Sequence, residues 1–307
     1  MKSSRTHSVT TTLLAFLIGI SNVGAQNLPS QNSSQTQSTK SLPTAFFYLK
    51  PVVLNREQHK GLRFKPTNFD FASKSQAVPL VVQEFQSASD EYAIVFTKGT
   101  DGIWLALAVT GLQAEVNTFI DPKGLWLARY VPFSVRRYPF ILAETGKDQF
   151  SLAADISASH WGTEGERIFD DQGVPTEFTR KLMPSLIDFQ NQAKQTNTFI
   201  QKLDEAKLLT QKNLQVRLHN GRNGVIEGVW IVNEPQLREL PDDKVLAWFK
   251  GGELAAVYAH ILSLRNLVPL LERSQAPATP SDTSLQRPAL KAIPNPTGKP
   301  SNKTTNK

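Results

Sequence analysis

The chain has 307 residues, of which 40% are hydrophobic, and it contains no cysteine. This length is sufficient to bury a core, while the lack of cysteine excludes a disulfide framework and a cysteine-linked lipid anchor. The formal net charge is +7, but residues 45–275 carry 26 basic and 26 acidic side chains. Because the positive surplus lies outside this balanced region, the composition argues against a nucleic-acid-binding face.

The N-terminus has the pattern of a cleavable export signal. Lys2 and Arg5 precede an apolar run at residues 11–20, which is followed by small residues at positions 23–25. This order predicts a signal peptide at residues 1–25, with the mature chain beginning at Gln26. The apolar run is much shorter than the roughly 20 residues that cross a bilayer, so no transmembrane anchor is expected after cleavage. We therefore expect the mature protein in the periplasm, at the cell surface or secreted.

Two polar segments flank the predicted folded region. Residues 26–44 are mostly Gln, Ser, Asn and Thr, and residues 275–307 are rich in Pro, Ser, Thr and Lys. Neither segment buries enough apolar surface to offset the entropy of ordering, so a disordered linker and a disordered tail are predicted. Residues 45–274 remain as one domain. An alternative for the cationic tail is contact with an anionic envelope polymer or lipid surface.

The sequence predicts mainly strands in the first half of the domain. Alternation through Tyr92, Ile94 and Phe96 predicts a half-buried strand, which a glycine-containing turn at residues 98–102 joins to a second strand at 103–109. Further short strands are predicted at residues 118–121, 140–143 and 150–156, and a turn at 144–148 joins the last two.

The second half mixes helices with another hairpin. Apolar residues spaced three and four apart from Leu186 to Leu203 predict a helix with Pro184 in its first turn or at a kink. A hairpin is predicted around residues 214–232, followed by helices at 243–249 and 254–271. The predicted fold class is α+β, with helices packed on a mainly antiparallel mixed sheet in a single domain.

An acidic segment supplies the first candidate site. His160, Glu164 and Glu166 are candidate catalytic residues, and Asp170 and Asp171 are candidate metal ligands, because imidazole and carboxylate groups serve both chemistries. The segment lacks the regular ligand spacing of an EF-hand, so a solvated connector is the alternative. No cofactor is predicted.

A basic aromatic segment supplies the second candidate site. Arg136, Arg137 and Tyr138 could bind an acidic sugar or a carboxylate through the guanidinium groups. The alternative is a short helix whose arginines cover the core and pair with acidic groups. His260 lies in the last helical segment, where a hydrogen-bonded packing role is expected. The sequence contains no phosphate-binding loop, dinucleotide fingerprint or G-x-S-x-G motif, which disfavours the commonest enzyme classes.

Several segments in a fixed order resemble the SapC family of bacteria. They are FYLKPVVLNR at 47–56, YAIVF at 92–96, FID at 119–121, GLWLA at 124–128, VRRYPF at 135–140, FDDQGVP at 169–175, and GELA and YAH at 252–255 and 258–260. The family takes its name from a gene associated with a bacterial surface layer. The resemblance therefore implies a connection to the envelope or surface layer, but it carries over no catalytic residues or cofactor.

Two functions remain open at this point. The first is an exported, non-catalytic binding or assembly module whose partner is a cell-envelope or surface-layer component. The second is a periplasmic enzyme that acts on a peptide or glycan through the acidic segment and His160.

Overall fold

The computed structural model describes residues 47–99, 101–146, 149–217 and 223–275. The predicted signal peptide, the polar linker and residues 276–307 of the predicted tail lie outside this part of the chain. The described strands are β1 (Pro51–Val53), β2 (Arg63–Phe64), β3 (Ala77–Leu80), β4 (Ala93–Lys98), β5 (Trp104–Val109), β6 (Phe140–Gly146), β7 (Gln149–Asp155), β8 (Trp161–Gly162), β9 (Glu166–Arg167), β10 (Leu209–Arg217) and β11 (Asn223–Val232).

The α-helices within the same ranges vary from one turn to eight turns in length. They are α1 (Phe85–Ala88), α2 (Phe133–Arg136), α3 (Glu177–Glu205), α4 (Glu234–Arg238), α5 (Asp242–Gly251), α6 (Glu253–Ser263) and α7 (Leu267–Gln275). Antiparallel sheets with packed helices form one domain, which confirms the predicted α+β class.

The largest sheet has the strand order β10-β11-β4-β5-β3, and all its neighbouring strands are antiparallel. Its β4–β5 and β10–β11 hairpins confirm the two predicted from alternation, although part of the second turn, residues 218–222, lies outside the described residues. The half-buried pattern predicted for β4 was wrong, because every residue from Ala93 to Thr97 is buried. Helix α6 packs against β4 and α3 packs against β5, so these central strands are covered by helices.

Two smaller sheets complete the strand layers, with the orders β1-β7-β6 and β8-β2-β9. The β6–β7 pair confirms the predicted strands at 140–143 and 150–156. The strand predicted at 118–121 was wrong, because that segment forms only an isolated bridge between Ile120 and Trp126. There the Asp121 carboxylate accepts the N–H groups of Lys123 and Leu125 at 2.9 and 2.8 Å, so the chain turns instead of extending.

Helix α3 is 29 residues long and begins well before the predicted start. Thr176 caps it, since its side chain accepts a hydrogen bond from the N–H of Thr179. Pro184 consequently lies inside the helix, so the first of its two predicted placements, in the first turn, was wrong. The predicted apolar stripe is confirmed by the burial of Leu186 and Leu203.

Among the C-terminal helices, α6 packs on β4 and β11 of the large sheet, and α5 packs on α6. Gly252 takes a positive φ of 86° between α5 and α6, a conformation that glycine adopts without strain. The single helix predicted over 254–271 is divided by a 3-10 turn at Leu264–Asn266. There the Asn266 amide donates hydrogen bonds to the carbonyls of Ser89 and Tyr92 at 2.7 and 3.1 Å, which fixes the turn to the domain.

Candidate functional site

His160 lies inside a cluster of aromatic rings. Its imidazole is parallel to the ring of Phe64, with centroids 6.0 Å apart, and it meets Phe71 and Tyr138 edge-on at 5.5 and 5.3 Å. Phe71 in turn stacks on Tyr138 at 3.9 Å. The fold therefore brings together His160 and Tyr138, which the sequence had placed in two separate candidate sites. We call these four residues the aromatic cluster.

Asp155 lies at the edge of this cluster, and nothing in its sequence surroundings had marked it. Its buried carboxylate accepts hydrogen bonds from the N–H groups of Leu49 (2.7 Å), Lys50 (3.1 Å) and Ser157 (2.9 Å), and from the hydroxyls of Ser157 (2.5 Å) and Tyr138 (3.3 Å). Burial alone would raise the pKa of the Asp155 carboxyl, but the hydrogen bonds from Ser157, Leu49 and Lys50 lower it below its usual value of 3.8. Two carboxylate oxygens offer about four acceptor positions, so the group is saturated with donors.

The electrostatics of the cluster favour neutral side chains. His160 is only 4% exposed, and burial lowers its pKa to about 4, so its imidazole is uncharged at neutral pH. Its Nδ1 has no hydrogen-bond partner among the described residues. Burial and the neighbouring Asp155 charge raise the pKa of the Tyr138 phenol. Asp155 at the edge of the aromatic cluster therefore anchors the backbone just before β1, and the cluster itself contains a neutral imidazole whose Nδ1 is unused.

Among the described hydrogen bonds and ion pairs, none joins an acidic candidate to the His160 side chain. Glu164 forms an exposed ion pair with Lys65 at 2.8 Å, and Asp171 pairs with Arg167 at 2.5 Å. Hydrogen bonding to the basic partner lowers the pKa of both carboxyls. The remaining two have different settings: Asp170 accepts the N–H groups of its own turn, from Gln172 (2.9 Å) and Val174 (2.8 Å), and Glu166 is an exposed residue of β9. Within the described ranges, no group of three or more His, Asp or Glu side chains has metal-binding proximity.

The predicted short helix at the basic segment is α2, and its arginines contact aromatic rings. The guanidinium of Arg136 lies 5.3 Å from the Phe133 ring, and its Nε donates to the carbonyl of Val131 at 2.9 Å. Arg137 lies 4.6 Å from the Phe189 ring of α3, and its buried Nε has no hydrogen-bond partner in the described part. The contact of Arg137 with Phe189 attaches the end of α2 to the long helix, whereas that of Arg136 with Phe133 lies within α2. The pairing with acidic groups considered from the sequence is not seen for either arginine among the described ion pairs.

His260 has the hydrogen-bonded packing role that its position predicted. Its Nε2 accepts the N–H of Val232 at 3.1 Å, and its ring stacks on Phe96 with centroids 4.5 Å apart. Burial lowers its pKa to about 3, although the nearby Ile94 carbonyl acts in the opposite direction. The side chain is therefore a neutral part of the contact between α6 and the large sheet.

A surface that sequence reasoning missed lies on the last helices. Half of the ten large apolar side chains exposed in the described part belong to α5, α6 and α7. They are Leu246, Phe249, Tyr258, Leu262 and Val268, and we call them the α5–α7 face. The sequence did contain a signal for this surface, namely the large number of apolar positions in these helices. A helix that is apolar nearly all round buries one stripe and exposes the rest unless a partner covers it. Among the described residues, only Glu253–Ser274 is long and apolar enough to cross a membrane by length and composition.

Comparison with known proteins gives one result. The family model SapC matches residues 54–270, which is most of the chain and nearly all of the described domain. No curated protein and no solved structure matches the chain. The matched region begins next to β1 and ends in α7, so it includes the aromatic cluster and the α5–α7 face. The chain therefore belongs to the SapC family.

Proposed function

We propose that this protein is an exported component of the bacterial cell envelope that acts as a non-catalytic binding or assembly module. The predicted signal peptide supports the export part of the proposal, and the surface-layer origin of the family name supports the envelope part. The α5–α7 face is the observation that carries the binding role. Exposed apolar side chains gathered on neighbouring helices are typical of a protein or membrane interaction site.

The candidate catalytic groups support the same assignment through their present contacts. Glu164 and Asp171 are engaged by basic side chains, and Asp155 is saturated by hydrogen-bond donors. A general base needs a free lone pair within reach of a substrate proton, and the Asp155 carboxylate uses its lone pairs within the protein, while Glu164 and Asp171 are exposed carboxylates paired with surface cations. The α5–α7 face, in contrast, offers side chains that nothing in the described chain covers.

Cell fractionation combined with mass spectrometry of the N-terminus tests the export part. The account predicts recovery from the periplasmic or envelope fraction with Gln26 as the first residue, because small residues at positions 23 and 25 suit the signal peptidase. A variant with Ala25→Leu keeps the apolar run but removes the small residue at the cleavage site, so it should accumulate uncleaved. Recovery of an intact chain that begins at Met1 from the cytoplasm would overturn the proposal.

A further inference from the structure

The exposed apolar residues of α5 and α6 lie at helical spacing. Tyr258 and Leu262 are four residues apart on α6 and are 50% and 57% exposed. Leu246 and Phe249 are three residues apart on α5, and Phe249 is 71% exposed. Residues at these spacings share one face of a helix. Because α5 packs against α6, the two helices form one unit, and each of them exposes a row of apolar side chains.

Polar contacts hold the opposite side of this unit in the domain. The Nε2 atom of His260 accepts the N–H of Val232, and the hydroxyl of Ser263 accepts the N–H of Ile94 at 2.9 Å. The Asn266 amide donates to two backbone carbonyls of the segment before β4. Crossing a membrane would break these bonds and leave their buried polar groups unpaired. The 22-residue stretch Glu253–Ser274, which comprises α6, the 3-10 turn and most of α7, is therefore placed to lie on a bilayer with one face.

The charge that follows these helices identifies the occupant. Residues 242–275 contain four basic and four acidic side chains, so the helices themselves are neutral. The segment beyond Gln275 contains five basic residues and one acidic residue, so its net charge is +4. The basic residues are Arg287, Lys291, Lys299, Lys303 and Lys307, and the acidic residue is Asp282. A basic segment joined directly to an exposed apolar helical face is complementary to an anionic lipid surface, which offers an apolar interior beneath a negative headgroup layer.

We propose that the α5–α7 face docks on an anionic lipid bilayer and that the basic segment after α7 supplies the preference for negative headgroups. This inference rests on the proposed function, since it names the partner of the same envelope module. The apolar side chains enter the headgroup boundary without crossing it, and the lysines act across the aqueous layer within a Debye length. The two contributions are separable because they come from different parts of the chain.

Vesicle flotation of residues 26–307 tests the inference directly. The leader is removed because its apolar run at residues 11–20 would itself enter a bilayer. The probes are vesicles of phosphatidylcholine alone and of an equal mixture with phosphatidylglycerol. We expect stronger binding to the mixed vesicles, and we expect the preference to decline as salt is added because screening weakens the attraction of the basic segment.

Two variants separate the apolar and the charged contributions. Phe249→Ser with Leu262→Ser should weaken binding to both vesicle types by about tenfold or more, because each side chain loses its apolar transfer. Glutamine at the five basic positions beyond Gln275 should abolish the preference for phosphatidylglycerol and leave binding to phosphatidylcholine unchanged. Ile103→Ser is the matched control, because Ile103 is 48% exposed but lies before β5. It should bind as the unmodified chain does, and unchanged thermal unfolding will show that each variant is folded.

Other outcomes would overturn the inference in distinct ways. Equal flotation of the double variant and the unmodified chain would show that the α5–α7 face is not the lipid contact. No flotation with either vesicle, together with dimers that Phe249→Ser and Leu262→Ser dissociate, would assign the face to a second copy of the chain. Failure of vesicle binding in a protein that fractionation still finds in the envelope would overturn the lipid partner while the export proposal stands.

Discussion

The hydroxyl of Tyr138 donates a hydrogen bond to the carboxylate of Asp155 across 3.3 Å, inside the cluster that also holds His160. This contact joins α2, through the residues that follow it, to the end of β7. The same carboxylate holds the N–H groups of Leu49 and Lys50, so it connects the start of the described chain to the domain. We expect a buried carboxylate with this many hydrogen-bond donors to stabilise the folded domain.

Asp155→Asn should lower the free energy of unfolding by about 3 kcal/mol. The amide nitrogen would face an N–H group such as that of Leu49, which leaves a buried donor unpaired and removes the charge that strengthens the other bonds. Chemical denaturation at neutral pH measures the loss. Tyr138→Phe is the matched control and should cost only about 1 kcal/mol, since it removes one long hydrogen bond. Equal losses in the two variants would contradict this role for Asp155.

The pH dependence of the free energy of unfolding should reflect the lowered pKa values of the two buried histidines. The pKa of His160 is lowered to about 4 and that of His260 to about 3, from 6.5, so below pH 6.5 the unfolded chain binds protons that the folded chain does not. The free energy of unfolding should therefore fall on acidification between about pH 6 and pH 5, by up to about 1.4 kcal/mol per unit for each histidine. Denaturation curves across this window measure the slope.

His160→Phe should reduce that slope by the contribution of one proton. Phenylalanine fits a site lined by Phe64, Phe71 and Tyr138, and it removes the unpartnered Nδ1 atom. At pH 8, which is well above the unfolded value of 6.5 and the lowered pKa values of His160 and His260, the unmodified and variant proteins should show the same pH slope. A slope unchanged by the substitution at pH 5 to 6 would mean that His160 titrates in the folded protein as it does in the unfolded chain.

The hairpins and the long helix were predictable because their signals are local. Alternation and turn residues lie within about 20 positions for β4–β5, and the apolar spacing of α3 lies within the helix itself. The aromatic cluster was not predictable, because Phe64, Tyr138 and His160 are far apart in the chain and meet only through the sheets. The same contrast separates two ion pairs: Arg167 and Asp171 are four residues apart, whereas Lys65 and Glu164 are 99 apart. The burial of residues 93–97 of β4 on both faces depends on α6, which follows the strand by more than 150 residues.

The acidic segment should not give a metal-dependent increase in stability. Glu164 is already paired with Lys65, and Glu166 is exposed on β9, so Glu164→Gln with Glu166→Gln should leave the thermal midpoint nearly unchanged. An ion that binds only the folded state would stabilise it by about 2.7 kcal/mol at a hundredfold excess over its dissociation constant. Thermal scans with calcium, magnesium, manganese and zinc compare the two proteins. A metal-induced stabilisation that the double variant loses would favour the metal-dependent enzyme alternative, with His160 as the first additional ligand to examine.

Removal of both flanking segments should leave the domain as stable as before. Residues 45–275 include all the described elements, and the segments outside them carry few large apolar side chains. The thermal midpoint of this shortened chain should match that of residues 26–307. A clearly lower midpoint would show that a flanking segment packs on the domain, and the α5–α7 face would then be the first place to look for it.

Site-specific photo-crosslinking in cells tests the central claim, that an exported SapC protein meets its envelope partner through the α5–α7 face. A photoreactive residue replaces Leu262 in one variant and Lys181, an exposed position on α3, in the other. The account predicts that mature protein in the envelope fraction forms adducts from position 262 and few or none from position 181. Adducts of equal yield from both positions, or none from position 262, would contradict it.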